Sequence, residues 1–234
     1  MTPTVLLERT DGLLEKLYRL LPVPDLTLLF DATDLNDYAA QSPIWLGAAS
    51  SEAIIEAVRR EPGQWPGLII ESAAAPSVLL GHLRSILFVR FNGERKAVLR
   101  YSNPTTASYF FTLGDPSLTT AWLGPVARLG WHGGTWPDQA QGTRRWFSVS
   151  NPAAVAWKPP TERRERHLHA LQVEALQRQR QDHALFQWWS TQGGLSFADA
   201  LGFLDEVRDR NWADADELAT YLTLRAARHT EALT

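Results

Sequence analysis

Near residue 160 the apolar residues of this chain change their spacing. Before that point the apolar runs are short and cut by Pro, Gly and Asn, a pattern that suits buried strands and brief helices. After it, long polar stretches carry apolar residues at helical intervals: Leu168, Leu171, Leu176, Leu185, Phe186 and Trp189, then Phe197, Leu201, Leu204 and Val207, then Leu218, Tyr221 and Leu222. Residues repeating every 3–4 positions must pack as helices on one stripe. The fold predicted is therefore α+β. A mixed α/β lobe over residues 1–150 holds a small mixed sheet with a hairpin, residues 151–160 form a linker, and residues 161–234 form an all-α C-terminal lobe. A chain of 234 residues buries roughly 70% of its unfolded surface, so its core needs no metal or disulfide.

The local signals predict a helix over residues 13–21, stopped by Pro22 and Pro24, and a strand over Leu26–Phe30. Ile44–Leu46 and Gly67–Ile70 read as further strands. Ser51 reads as the N-cap of a helix to Arg60, and Pro76 as the first residue of a helix to about Leu87. Strands over Ser85–Phe91 and Glu94–Tyr101 flank Asn92-Gly93, a turn dipeptide. A two-residue loop would set Val89 opposite Lys96 and mix apolar with charged side chains. A three-residue loop pairs Arg90 with Glu94 and puts Leu87, Val89, Ala97 and Leu99 on one face, and is the register predicted. Helices are expected over Thr105–Leu113 and Pro116–Leu123, then loops over 130–160 with one strand at Arg144–Val149. A long helix is expected from Glu162 to about Thr191, ended by Gly193-Gly194. Ser196 with Asp199, and Asp214 with Glu217, open the last two helices.

Composition narrows the function classes. Lys+Arg is 23 against Asp+Glu 26, net −3, which gives no footprint for a dedicated nucleic-acid binder. Without cysteine there is no thiol nucleophile or thiolate metal site. The first residues lack a basic stretch followed by a long apolar one, and no run reaches the roughly 18 apolar residues of a membrane span. The chain is expected to be soluble, with no membrane partner. His167 and His169, placed two apart on a helix, would point about 200° apart and would not share an ion. Asp31, Asp34 and Asp37 lack calcium-loop spacing. His132 precedes Gly133-Gly134 without any Gly-x-Ser-x-Gly nucleophile elbow, and no phosphate- or dinucleotide-binding glycine loop is present. No catalytic, cofactor-binding or metal residue is assigned, and the chain reads as no enzyme. A hydrolase built on His132 or His167 with a carboxylate is the reading this opposes.

Ten tryptophans are the unusual count. Trp45, Trp65 and Trp122 read as core, while Trp131, Trp136, Trp146 and Trp157 fall where loops or helix ends are expected. Adjacent helix positions diverge by about 100°, so Trp188 and Trp189 would not both meet one narrow stripe. Exposed tryptophans are frequent binding anchors. Trp188, Trp189 and Trp212 are thus the candidate partner-binding residues.

Several segments occur in a telling order: Pro43, Trp45 and Leu46; a strand leading to Ser72; His82 and Arg84 in His-Leu-Arg; Asn92-Gly93; Arg100-Tyr101-Ser102-Asn103-Pro104; and Gly124-Pro125-Val126. The series resembles the type VI secretion effector-adaptor family catalogued as domain of unknown function 4123, over about residues 5–130. Two segments depart from the family pattern: Ser102-Asn103-Pro104 stands where the family has Tyr-Asp-Pro, and Ser42-Pro43-Ile44 precedes Trp45 where the family has Gly-Pro-Trp. The resemblance implies a cytoplasmic bacterial adaptor, similar to a chaperone, that holds an effector toxin and helps load it onto a VgrG or PAAR spike protein. It implies two binding surfaces and no cofactor. The motif residues Arg100, Asn103, Pro104, Gly124 and Pro125 are expected to organise the fold. An immunity-type protein that blocks a cognate toxin is the alternative.

Overall fold

The computed structural model describes residues 3–91, 95–160, 166–210 and 214–233. Asn92-Gly93, Glu94 and Trp212 lie outside the described residues. The chain begins β1 (Thr4–Leu7), α1 (Leu13–Leu20), β2 (Leu26–Leu28), β3 (Ile44–Leu46), α2 (Ala48–Arg60) and β4 (Gly67–Ser72). It continues α3 (Pro76–Ser85), β5 (Phe88–Phe91), β6 (Arg95–Val98), α4 (Pro104–Phe110), α5 (Pro116–Leu123) and β7 (Val126–Gly133). Then come α6 (Trp136–Ala140), β8 (Arg145–Ser150), β9 (Arg166–His167), α7 (Ala170–Trp189), α8 (Phe197–Asp205) and α9 (Ala215–Leu233). This is the α+β class: a sheet-bearing region followed by helices.

The main sheet has the order β2-β3-β1-β4-β7-β8, with every pair antiparallel. Its centre is β1, where Val5, Leu6 and Leu7 have no exposed surface. Neighbouring strands alternate their side chains between two faces. One face carries Leu6, Trp45, Leu68, Ile70, Leu129 and Trp131 and packs against α3, α4 and α5. The other carries Val5, Leu7, Ile44 and Leu46 and packs against Leu13 and Leu17 of α1 and Ile54 and Val58 of α2. Gly67 is required where β4 begins to pair with β1, because a Cβ there would stand 2.4 Å from the Leu6 carbonyl oxygen.

A second sheet, β6-β5-β9, contains the hairpin. Here the register predicted from sequence is corrected. Val89 lies opposite Ala97, Arg90 opposite Lys96 and Phe91 opposite Arg95. The predicted face survives, because sliding the pairing by two residues leaves Leu87, Val89, Ala97 and Leu99 together in the first core. The third strand, β9, pairs parallel to β5.

Three further expectations are corrected. Residues 130–133 continue β7 instead of forming a loop, and Trp131 on that strand is fully buried. The long polar helix begins at Ala170 rather than Glu162, since Arg166 and His167 belong to β9. His169 caps it by accepting the Leu171 amide, and Gln172 returns a bond to the His169 amide. Helix α2 starts at Ala48, upstream of Ser51. The other caps follow the residue types. Pro76 opens α3, Ser196 accepts the Asp199 amide at the start of α8, and Asp214 accepts the Glu217 amide at the start of α9. A third core, built from Leu185, Trp188, Phe197, Phe203, Leu204, Leu218 and Leu222, joins α7, α8 and α9.

Candidate functional site

The motif residues converge on backbone joints. His82 on α3 donates its Nε2 proton to the Trp122 carbonyl at 2.9 Å, and its ring meets Trp157 edge-on at 5.3 Å. Burial first, and the Arg166 charge second, lower its pKa from the usual 6.5 to about 4. Gly124 follows α5 with φ +54°, and a Cβ there would stand 2.3 Å from the His82 ring. The Gly124 carbonyl accepts from Asn151, and the Pro125 carbonyl accepts from Ser72. These residues clamp the α5–β7 junction onto α3 and β4.

A second joint holds the hairpin. Arg100 donates Nε to Glu8 at 2.9 Å, and Ser102 donates its hydroxyl to the other Glu8 oxygen. Glu8 is buried, so the two donors supply what water no longer can. Tyr101 donates to the Leu83 carbonyl at 2.8 Å, and Arg84 reaches the Leu28 and Leu29 carbonyls. Asn103 accepts the amides of Thr105 and Thr106, and Pro104 takes the first position of α4. An oxygen acceptor is the requirement at that cap, which Asn meets as Asp does. Ser42 binds the Phe30 amide just before Pro43, and Trp45 and Leu46 enter opposite faces of the sheet.

The tryptophan pair sits differently from the sequence expectation. Trp188 is 8% exposed and donates Nε1 to Thr223 on α9. Trp189 is half-buried, donates to the Leu195 carbonyl and packs edge-on against Phe197 at 5.1 Å. Helices α8 and α9 flank α7, so its buried face is wider than one stripe and takes both rings. That face runs through Gln172, Ala175, Asp182, Leu185 and Trp188; Leu171, expected inward, is exposed.

Asp182 also lies on that face, where the sequence expectation has only apolar residues. It has no exposed surface. Tyr109 on α4 donates to it at 2.7 Å, Arg208 at 3.0 Å, and Arg178 lies 3.7 Å away. Burial, then the Asp182 charge, push the Tyr109 pKa up. Gln179 also donates to Thr106, and the Trp136 ring stacks on His183 at 4.4 Å. The available signal was spacing: Asp182 is seven residues after Ala175 and three before Leu185, on the inner stripe of a helix.

Above this polar knot opens a groove of about 1400 Å³ between the β5–β6 hairpin, α4 and α7. Val89, Ala97, Val98, Leu99, Leu168 and Leu171 supply apolar lining, and Arg95, Arg180 and Arg210 with Glu174, Asp209 and Asp214 a charged one of both signs. Val98 is 39% and Leu171 41% exposed. Small-molecule pockets span roughly 300–1000 Å³. This groove exceeds that range and has the size of a cleft for a polypeptide segment. A smaller hollow of about 520 Å³ beside α1 is lined by Arg9, Asp11 and Arg100, but Arg100 is already engaged by Glu8. Among the described residues no group of His, Asp or Glu is placed to hold a metal ion, and no helix is long and apolar enough to cross a membrane. His167 lies on β9 and His169 caps α7.

Residues 7–120 match the model of a family described as a domain of unknown function, DUF4123. The match supports the DUF4123 family, and it covers the motifs from Pro43 to Pro104. Gly124-Pro125-Val126, β7, β8 and the C-terminal helices lie beyond it. No curated protein and no solved structure matches the chain.

Proposed function

We propose that the protein is an adaptor that binds other polypeptides and performs no chemical transformation. Following its resemblance, the cargo is a type VI secretion effector toxin and the receiving partner a VgrG or PAAR spike protein, met in the bacterial cytoplasm. The observation that carries the reading is the hairpin–α4–α7 groove, larger than a small-molecule pocket and lined by apolar residues with charged ones of both signs. The DUF4123 match supports the family on which the type VI assignment leans.

The test is affinity capture with tagged protein in its native bacterium, followed by binding measurements with the recovered effector. An exposed apolar residue of the groove is the place to intervene, because a charge at Val98 or Leu171 spares the core. Val98→Glu and Leu171→Glu are expected to weaken effector binding at least tenfold with the melting temperature unchanged. Capture of neither a toxin nor a spike protein by the wild type would remove the reading. Protection of sibling cells from a toxin expressed alone would favour the immunity alternative.

A further inference from the structure

Strand β8 ends the main sheet. Asn151 donates its amide to the Ala127 carbonyl at 2.8 Å, and the pairs Val149–Leu129, Phe147–Trp131 and Arg145–Gly133 continue that register without a shift. In an antiparallel ladder bonded and non-bonded pairs alternate. Trp146, Ser148 and Ser150 therefore turn their amides and carbonyls away from β7. Every residue of β8 is exposed or half-buried, and no backbone bond from another described segment reaches this edge.

Native sheets usually blunt their edges by shortness, proline, bulges or charge. The opposite edge, β2, follows that rule: it has three residues, with Pro22 and Pro24 just before it. By contrast, β8 has six residues with no proline or bulge among them; its charge is confined to Arg145 at one end, and Pro152 follows only after Asn151. The face beside it is also bare. Helices α1 and α2 cover that face over β1 and β3, but beyond Ile69 it carries Glu71, Arg128, His132, Ser148 and Trp146. Trp146 is 44% exposed, its ring edge-on to His132 at 5.5 Å. In a chain of net charge −3, this end of the sheet gathers Arg128 on that face, Arg144 just before β8, and Arg145 on the opposite face with its guanidinium 4.9 Å over the Phe147 ring. Glu71 lies opposite Arg128. Asp138, which lies near Arg145, already accepts bonds from Thr135 and Thr143.

We propose that β8 is a strand-addition edge that accepts an extended, acidic segment of a partner polypeptide as a seventh strand of the main sheet. The outward backbone groups of Trp146, Ser148 and Ser150 hydrogen-bond the segment, the arginines meet its carboxylates, and the Trp146 ring packs on its side chains. A second copy of β8 is the poorer occupant, since β8 contains no carboxylate to answer these arginines. The inference rests on the adaptor reading for the polypeptide class of its ligand. None of its residues lines the groove, so it supplies the second of the two surfaces an adaptor requires.

The experiment uses the full chain and a fluorescein-labelled eight-residue peptide alternating Glu and Val, with a Lys–Val peptide as control, read by anisotropy. Ser148→Pro removes one outward amide and leaves the β7 ladder whole, while R144E/R145E reverses the exposed charge. Binding of the Glu–Val peptide should weaken at least tenfold in each variant, and it should slow hydrogen exchange at residues 146, 148 and 150. Failure of the wild type to bind, equal binding by both variants, or a wild-type dimer that Ser148→Pro converts to monomer would overturn the proposal. Capture of both effector and spike that persists undiminished in Ser148→Pro would leave the adaptor reading standing while removing this edge. Capture of neither by the wild type would remove the adaptor reading, with the peptide result still deciding the edge.

Discussion

His82 and Gly124 show how a motif pair acts through contact rather than chemistry. The imidazole occupies the space a Cβ at position 124 would need, and the backbone there is left-handed. Gly124→Ala is expected to cost about 2 kcal/mol or more, from strain and the displaced ring together, measured as a lower urea midpoint. His82 also makes stability depend on pH. Its folded pKa of about 4 lies below the ordinary 6.5, so the unfolded chain takes up the proton first as pH falls. The full contribution is present above pH 6.5 and is lost as pH drops toward 4, by up to about 3 kcal/mol. Thermal melts across that window should show the slope, and His82→Gln should flatten it. The order of such motif residues was legible in the sequence. That His82 and Gly124 touch was not, since 42 residues separate them and only the fold brings them together.

At the scale of elements, the caps at Asn103, Ser196 and Asp214 read well, the Ser51 cap and the Glu162 helix start did not, and burial read less well. Asn103-Pro104, Pro76 and Ser196 open helices for reasons contained in a few consecutive residues. Strand β1 leaves little trace in the sequence because Thr4–Leu7 is short and its place at the sheet centre depends on β3 and β4, tens of residues away. Helix α7 differs from the sequence expectation in its facing: a single helix shows one best stripe, whereas packing against both α8 and α9 buries a broader surface. Trp188 belongs to that surface. Trp188→Ala is expected to cost roughly 3–5 kcal/mol, the range for a large buried aromatic side chain, and to lose the bond to Thr223. A chemical-denaturation curve checks it; a change within 0.5 kcal/mol would show the ring to be dispensable to the core.

For the molecule as a whole, Asp182 ties the two regions together. It receives Tyr109 from the sheet-bearing region and Arg208 from the turn after α8. Asp182→Ala leaves the Arg208 guanidinium half-buried without its inner partner, and one nitrogen of that group already lacks an acceptor. The expected cost is about 3 kcal/mol or more. A double-mutant cycle between Tyr109→Phe and Arg208→Met should show coupling above about 0.5 kcal/mol, since both act through one carboxylate; simple additivity would show that the knot does not act as a unit. The sequence by itself determined what short-range chemistry controls: the caps at Asn103, Ser196 and Asp214, the side chains that share a hairpin face, the change of period near residue 160 and the order of the short motifs. The tertiary structure alone decided the hairpin register, the central place of β1, the burial of Trp188 and the meeting of Tyr109 with Asp182. Each of those depends on surfaces that come together only when distant segments pack, and a two-residue slide or a rotated helix leaves the local pattern unchanged.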